Sequence, residues 1–218
     1  MKYKAVLFGS IGTIIETSEI QRKSFNDAFK EAGLDWYWDE TDYKNLLQKS
    51  GGAKRIEDFA QQNNSTVDAS KIRLRKTEIF NKYLREQNFE PREGVLDIIN
   101  FAKENRLKLG FVTSTTTNNI DAVFSTLKNF IKKDNFDFIG DSNLIDQPKP
   151  NSEIYHKALQ ALSLDASECI AIEDTEESVK SSLDAKIKCI GFPGNFHLHD
   201  SFNKCEMKVT KLTIAILN

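Results

Sequence analysis

Hydrophobic and polar positions follow two different rhythms along the chain. A short apolar run over Val6–Phe8 stops at glycine and predicts a buried strand. From Ser18 to about Glu90 the apolar positions recur at helical spacing among many charged residues, without any segment typical of a strand. This block predicts helices over Glu19–Ala32, Glu40–Lys49, Ala53–Asn63 and Ala69–Gln87.

After Pro91 the pattern changes to short apolar runs separated by amphipathic segments. Strands are predicted over Leu107–Thr113, Phe136–Ile139, Cys169–Ile172 and Lys188–Phe192. Helices are predicted over Val95–Asn105, Asn118–Leu127, Ser152–Leu162 and Glu176–Ala185. Strands that alternate with helices indicate a parallel sheet covered on both faces. We therefore predict an α/β fold, a doubly wound parallel sheet at 1–16 and 91–218 with an inserted all-helical cap domain at 17–90.

Composition excludes several classes of protein. Hydrophobic residues make up 39% and charged residues 28% of the 218 residues, as in ordinary globular proteins. The net charge of -2 provides no basic field for nucleic acid. No apolar run approaches the roughly 20 residues of a membrane helix, and Met1–Lys4 lacks the long apolar region of a signal peptide. We expect a cytoplasmic monomer with no nucleic-acid or membrane partner.

Cysteine and histidine spacing offers little for redox or metal chemistry. Cys169, Cys189 and Cys205 are odd in number and lack C-x-x-C spacing, which favours free thiols in a reducing compartment. His197 and His199 lie two residues apart without a third ligand nearby, so we interpret them as surface residues.

Polar segments follow three of the predicted strands. Gly9–Thr13 follows the first, Ser114 and Thr115 follow the strand that starts near Leu107, and Glu173-Asp174 follows the strand that starts at Cys169. Ligands of doubly wound sheets bind outside the carboxyl ends of the strands. The three segments should therefore converge on one pocket.

Hydroxyls, amides and one lysine in these segments are candidates for phosphate binding. Ser114, Thr115 and Asn118 lie beside a predicted helix start, where an anion is attracted, although the same residue types also favour simple helix caps. The amides of Ser10 and Ile11 are candidates for a further anion-binding nest. Lys149 lies between two prolines, where a solvated turn residue is the alternative. By themselves these residue types fit helix caps and a solvated turn, and it is the motif order described next that implies a phosphate site including Lys149.

In chain order, these segments resemble the motifs of the haloacid dehalogenase superfamily. Its first motif, D-x-D-G-T, aligns with Gly9–Thr13, so Gly9 stands at the position of the nucleophile and Ile11 at that of the acid/base. Its K-P-x-x-x-I-Y element aligns with Lys149–Tyr155. The resemblance implies a Rossmann-like core, and in the family a phosphoaspartyl intermediate, but here it leaves no catalytic residue intact. Ser10 is a poor substitute, because the middle position of this turn should point away from the pocket.

The acidic pair implies a weakened magnesium site. In the family the first aspartate also binds the metal, so Gly9 removes one ligand. The resemblance leaves Glu173, Asp174 and the Ile11 carbonyl, a set of hard oxygen ligands that suits magnesium. The alternative is that Asp174 caps the following helix.

The helical block resembles the cap of CbbY-type sugar-phosphate phosphatases, close relatives of beta-phosphoglucomutase. Phe25–Phe29, residues 32–39 and the segment 51–56 carry this resemblance. It implies a cap that binds the sugar and its distal phosphate. The substrate-binding residues that it implies are Gly51, Gly52, Lys54 and Arg55. For Trp36 and Trp38 we predict a role in helix packing.

Several positions depart from that subgroup. Ala53 replaces a lysine of the cap motif, Gln21 replaces a histidine near the cap entrance, and Glu176–Ser178 replace P-N-G after the acidic pair. Carboxylates added beside a phosphate pocket would disfavour a dianion. The divergence therefore extends beyond the first motif.

Three functions remain open from the sequence. The first is a non-catalytic family member that binds a small phosphorylated ligand. The second is an active magnesium-dependent sugar-phosphate phosphatase that uses a bound water or an unrecognised nucleophile. The third is a scaffold or regulatory protein.

Overall fold

The computed structural model describes residues 2–47 and 51–217. Its strands are β1 (Ala5–Phe8), β2 (Lys108–Val112), β3 (Phe138–Gly140), β4 (Cys169–Glu173), β5 (Lys188–Gly191) and β6 (Met207–Lys208). Its helices are α1 (Ile11–Ile14), α2 (Ser18–Glu31), α3 (Glu40–Leu46), α4 (Gly52–Gln62), α5 (Ala69–Glu86), α6 (Val95–Glu104), α7 (Thr117–Thr126), α8 (Glu153–Leu162) and α9 (Glu176–Asp184).

The strands form one parallel sheet, and this confirms the predicted doubly wound α/β fold. Within the described residues the sheet has six strands in the order β3-β2-β1-β4-β5-β6. Every residue of β1 and β4 is buried, as expected for central strands covered on both faces. The strand order reverses at β1, and such a switch point is where doubly wound sheets bind ligands.

The register of the sheet aligns the carboxyl ends of its central strands. Phe8 of β1 lies opposite Phe111 of β2 and Ile172 of β4. The residues that follow these three in the chain are Gly9, Val112 and Glu173. The Gly9 amide donates to the Ile172 carbonyl at 3.0 Å. The polar segments that follow these strands are thus brought to one edge.

The chain divides into two compact units. Met1–Glu16 and Asn88–Asn218 form the first, which holds the sheet, and Thr17–Gln87 forms the second, which holds α2 to α5. The sequence placed the second boundary at 90/91, whereas the units divide at 87/88. Of the described helices, none is long and apolar enough to cross a membrane.

Aromatic packing holds the helical unit together. Trp38 is fully buried, and its ring centroid lies 5.0 Å from that of Phe25 and 4.6 Å from that of Phe29. The side chain of Asn26 pairs with the Trp38 backbone, accepting from its amide at 2.8 Å and donating to its carbonyl at 2.9 Å. Trp36 packs edge-on against Phe29. Both tryptophans therefore contribute to packing, as the sequence predicted.

Most predicted elements are present, with small shifts at their ends. The helix predicted over Glu40–Lys49 begins at Glu40 and is described to Leu46, and the last two residues of the prediction lie outside the described residues. Two elements were missed. The segment after β1 forms the single helical turn α1 instead of an open turn, and β6 adds an edge strand too short to leave a sequence pattern.

Candidate functional site

Lys149 is the centre of the site at the carboxyl edge of the sheet. Its ammonium donates to the carbonyls of Gly9 and Val112, the latter at 2.7 Å, and to Glu173 Oε1 at 2.6 Å. An ammonium group has three donors, so all three are used within the protein. Lys149 was predicted as a phosphate ligand, and the structure places it in an ion pair that is almost fully buried.

Glu173 fills the space that opens at Gly9. A Cβ built on Gly9 would overlap the carboxyl group of Glu173. Tyr155 donates its hydroxyl to the same Oε1 that Lys149 contacts, at 2.5 Å, while the buried Oε2 has no hydrogen-bond partner. Burial raises the pKa of Glu173, against the opposing effect of the Lys149 charge. The nucleophile position of the first motif is thus occupied by a carboxylate from another strand.

Asp174 lies against the first loop rather than toward Glu173. Ser10 donates its hydroxyl to Asp174 Oδ1 at 2.7 Å, and a Cβ at Gly12 would overlap Asp174 Oδ2. The expectation that Ser10 points away from the site is therefore wrong. Its own amide contacts Thr13 Oγ1 at 3.4 Å, so the proposed nest has one amide already engaged. The absence of a side chain at Gly12 leaves room for the close approach of the Asp174 carboxylate.

The loop after β2 presents hydroxyls at the same edge. The Thr115 amide donates to Thr113 Oγ1 at 3.1 Å, and Asn119 donates its side-chain amide to Thr115 Oγ1 at 2.7 Å. Ser114 is half-buried beside them. Thr116 caps α7, which begins at Thr117, and Asn118 is an exposed residue of the first turn. The predicted helix start at Asn118 is thus one residue late, because a threonine supplies the cap.

The described residues do not fit a magnesium ion as they are arranged. Oε1 of Glu173 already accepts two hydrogen bonds, and one oxygen of Asp174 accepts from Ser10. The Ile11 carbonyl, the third expected ligand, accepts the Ile15 amide at 3.0 Å within α1. In the described part of the chain, no group of three or more His, Cys, Asp or Glu is placed to hold a metal.

The carboxylate of Glu176 is directed toward the segment after β5. Its Oε1 accepts the Ser201 hydroxyl at 2.6 Å and the Phe202 amide at 2.7 Å. These bonds lower the pKa of Glu176. The residue therefore anchors the segment after β5 through its contacts with Ser201 and Phe202.

Two side chains that make contacts at this edge of the sheet were not predicted from the sequence. Tyr155 lies within the K-P-x-x-x-I-Y element, but nothing in that pattern revealed its hydroxyl contact with Glu173. Arg92 donates to the carbonyls of Gly12 at 2.6 Å, Phe192 at 2.9 Å and Pro193 at 2.6 Å, and thereby ties the first loop to the end of β5. Burial lowers the pKa of Arg92. A lone arginine after a proline gave no signal for this role.

The helical unit contains its own cluster of cations, formed by Arg55, Arg73 and Lys76. Arg55 is buried, donates to the Leu46 carbonyl at 2.8 Å and stacks near aromatic rings. Lys76 is 3% exposed and donates to the side-chain oxygen of Gln21. Burial, together with the charges of Arg73 and Arg55, holds the pKa of Lys76 well below its ordinary value of 10.5.

The apolar stripe of α5 is the signal that could have found Lys76. Ile72, Lys76 and Phe80 are all buried and recur at a spacing of one helical turn. A lysine inside such a stripe is rare unless it has a partner.

The other predicted cap residues lie in different settings. Lys54 is exposed and pairs with Asp58 along α4, outside the cation cluster. Gly52 lies against Arg73, since a Cβ there would overlap its side chain, and Gly51 has a positive φ of 91° just before α4. The glycines therefore permit the approach of Arg73 and the turn into α4.

Comparison with known proteins agrees with this architecture. The sequence model of the haloacid dehalogenase-like hydrolase family matches residues 6–192 of this chain. CbbY of Rhodobacter capsulatus is 31% identical over 218 residues, which cover 99% of this chain and 96% of that protein. The crystal structure of CbbY from Rhodobacter sphaeroides in complex with phosphate has a TM-score of 0.86 at 29% identity, covering 96% of this chain and 94% of that one.

A mutant of the same R. sphaeroides protein, crystallised with xylulose-1,5-bisphosphate, matches with the same TM-score of 0.86. Beta-phosphoglucomutase from Clostridium difficile shares the fold, with a TM-score of 0.77 at 20% identity. These matches, together with the parallel sheet and the motif order, show that the chain belongs to the haloacid dehalogenase-like hydrolase family.

Proposed function

We propose that this protein binds a small phosphorylated ligand of the sugar-phosphate class and does not hydrolyse it through a phosphoaspartate. The observation that carries the proposal is the carboxyl group of Glu173 in the space beside Gly9. The position of the family nucleophile has no side chain, and the space left by it is filled. A family scaffold is retained while its covalent chemistry is removed.

The remaining groups are poorly suited to replace that chemistry. Ile11 carries no group that can transfer a proton, and the three donors of Lys149 are used by Gly9, Val112 and Glu173. Hydrolysis of phosphate monoesters requires rate enhancements of up to about 10²¹, so positioning alone is insufficient. Loss of a covalent nucleophile costs about 10⁶ in kcat in a well-studied hydrolase of different chemistry.

Affinity for an anion has support in both units. Half-buried hydroxyls at Ser114 and Thr115 lie beside the start of α7, where the helix dipole favours negative charge. In the helical unit, the charges of Arg55 and Arg73 disfavour the protonated form of Lys76. A bound phosphate would relieve this repulsion. The CbbY relative binds phosphate and, as a mutant, xylulose-1,5-bisphosphate, in keeping with this ligand class.

Magnesium would contribute little to this binding. Haloacid dehalogenase-like hydrolases generally use magnesium, and in this chain Glu173 and Asp174 are the side chains that would hold it. One oxygen of each carboxylate is engaged by protein donors, and Gly9 supplies no ligand. We expect weak binding, with no thermal stabilisation at millimolar magnesium.

The direct test combines an assay with a binding measurement. Purified protein should release no phosphate from pentose or hexose phosphates with magnesium, while a bound sugar phosphate should raise the melting temperature. At a ligand concentration of 100 times Kd the gain is about 2.7 kcal/mol, or roughly 5–10 °C for a chain of this size. Turnover that survives re-purification and disappears in Lys149→Ala would contradict the proposal. The absence of any shift with phosphorylated ligands would favour a scaffold instead.

One observation favours a second candidate, an active phosphatase with a different nucleophile. The unpartnered Oε2 of Glu173 lies where the family nucleophile would begin, and a carboxylate is chemically able to form an acyl phosphate. Acid-quenched protein incubated with a labelled sugar phosphate separates the two candidates. A phosphate label on the peptide that contains Glu173 would establish this alternative, and no label is expected under the proposed function.

Lys76→Met should stabilise the protein and weaken ligand binding. Methionine retains the packing on Phe25 and Phe80 without a buried charge, so we expect a gain of about 0.5–2 kcal/mol near neutral pH. The lowered pKa means that the unfolded chain binds this proton more tightly. The free energy of unfolding of the wild-type protein should therefore rise with pH until the pH reaches 10.5, the ordinary pKa of lysine. The variant should lose this dependence of stability on pH.

Urea unfolding at several pH values, with and without a sugar phosphate, measures both effects. Lys82→Met is the matched control, since Lys82 is an exposed lysine of the same helix. It should change neither the pH slope nor the ligand-induced stabilisation. A destabilised Lys76→Met variant that still responds fully to the ligand would contradict the assignment.

A further inference from the structure

Two cysteines lie side by side at the edge of the sheet, away from the groups assigned to ligand binding. Cys189 belongs to β5, and Cys205 comes two residues before β6. The Glu206 amide donates to the Cys189 carbonyl at 2.9 Å, so the chain around Cys205 is hydrogen-bonded directly to β5. Ile190 and Met207 then form the first pair of the β5–β6 register.

The missing side chain at Gly191 makes room for the second sulfur. Residues 189 and 191 point to the same face of β5, because side chains alternate along a strand. A Cβ at Gly191 would lie 3.2 Å from Cys205 Sγ and 2.6 Å from the ring of Phe202. The Cys205 thiol is therefore placed over β5, on the face that also carries Cys189, whose own thiol donates to the Ile190 carbonyl at 3.6 Å.

The two thiols differ in accessibility and acidity. Cys189 is fully buried, and burial raises its pKa well above the ordinary range. Cys205 is half-buried, and the neighbouring Cys189 thiol lowers its pKa. The thiolate is the nucleophile in thiol chemistry. Cys205 is thus the sulfur that meets a reagent from solvent, and Cys189 is the sulfur placed to resolve the product.

We propose that Cys189 and Cys205 form a reversible disulfide when the protein meets a low-molecular-weight disulfide. The Cys205 thiolate attacks one sulfur of the reagent, its S–S bond breaks, and the first small thiol leaves with a proton. The Cys189 thiolate then attacks Cys205 Sγ, which releases the second small thiol. The two cysteines together lose two protons and two electrons, and the reagent gains these two protons and two electrons as it becomes two small thiols.

This disulfide would fix the chain segment that Glu176 also holds. Glu176 binds Ser201 and Phe202 and begins the helix that follows the acidic pair. Oxidation would close a covalent loop over Cys189–Cys205 and make the attachment of this segment to β5 permanent. A loop of this length stabilises a fold chiefly by restricting the unfolded chain. We expect the melting temperature to rise by roughly 5–10 °C.

Peptide mapping of the full chain after exposure to oxidised glutathione tests the proposal. Trypsin cleaves after Lys188, Lys204 and Lys208, which separates the two cysteines into adjacent peptides. In oxidised protein these peptides should remain linked until a reductant is added. Cys169, which is fully buried in β4, should stay free and is the internal control.

Cys205→Ser completes the test, because it alters a half-buried residue and should leave the fold intact. This variant should give no linked peptides, no rise in melting temperature and no protection of Cys189 from alkylation under denaturing conditions. Wild-type protein that accumulates a stable glutathione adduct on Cys205, without the internal link, would overturn the proposal. Linked peptides without any thermal stabilisation would overturn the claim that the segment becomes fixed.

Discussion

Replacing Glu173 by alanine is expected to lower the free energy of unfolding by about 3–5 kcal/mol. Glu173 is fully buried, and the Lys149 side chain with which it pairs is only 7% exposed. Removal of the carboxylate leaves a buried ammonium without its anion, and the Tyr155 hydroxyl loses its acceptor. Urea unfolding followed by circular dichroism measures the change.

Glu206→Ala is the control for this loss. Glu206 pairs with Lys188 at the surface, where both side chains are more than 40% exposed, so its removal should cost less than about 1 kcal/mol. The loss of unfolding free energy in Glu173→Gln should fall between those of the two alanine variants, because the amide still accepts a hydrogen bond but carries no charge. If Glu173→Ala cost no more than Glu206→Ala, the buried pair would not stabilise the fold as we infer.

Restoring the two aspartates of the first motif is expected to yield a phosphatase only when Glu173 is shortened as well. In the double variant Gly9→Asp with Ile11→Asp, the new side chain at position 9 meets the Glu173 carboxyl group. Two carboxylates would then compete for Lys149 in a buried space. We expect this variant to be destabilised by about 1–3 kcal/mol and to release no phosphate.

Adding Glu173→Asp removes one methylene group and draws the second carboxylate back from position 9. This triple variant should release phosphate from sugar phosphates in the presence of magnesium at about 10³ times the background or more, since a lost nucleophile accounts for factors near 10⁶. The matched control carries Ile11→Asp and Glu173→Asp but retains Gly9. It should release no phosphate.

Each other outcome has a distinct meaning. Activity in the double variant would show that Glu173 moves aside without cost, against our interpretation of the filled space. A silent triple variant that is still stabilised by sugar phosphates would show that the pocket has diverged at further positions. Both readouts use the same purified proteins, so binding and catalysis are judged separately.

The fold and the convergence of the site were predictable because both depend on short, strong patterns. Apolar strands that end in polar segments fixed where Gly9, Ser114 and Glu173 would meet, since parallel strands share one carboxyl edge. The motif order then gave the family, which the comparisons confirm.

The directions of individual side chains could not be predicted in the same way. Glu173 fills the space at Gly9, Ser10 turns toward Asp174, and Glu176 turns toward Ser201. Each depends on a tertiary contact between residues far apart in the chain, which no local pattern encodes. Lys76 is the exception, because its place in an apolar helical stripe was visible in the sequence and was overlooked.

The Glu173 carboxylate occupies the Lys149 ammonium, so an anion from solution would have to compete with it for this contact. Because Glu173 is held next to Lys149 by the fold, its contact with Lys149 is intramolecular and does not depend on a ligand concentration. A phosphate that uses Lys149 must displace it, so its apparent affinity falls by the fraction of molecules in which the pair is open. Glycine at position 9 thus both lacks a nucleophilic side chain and leaves room for the Glu173 carboxyl group. A phosphoaspartyl mechanism would therefore require changes at positions 9 and 173 together, which single substitutions do not supply.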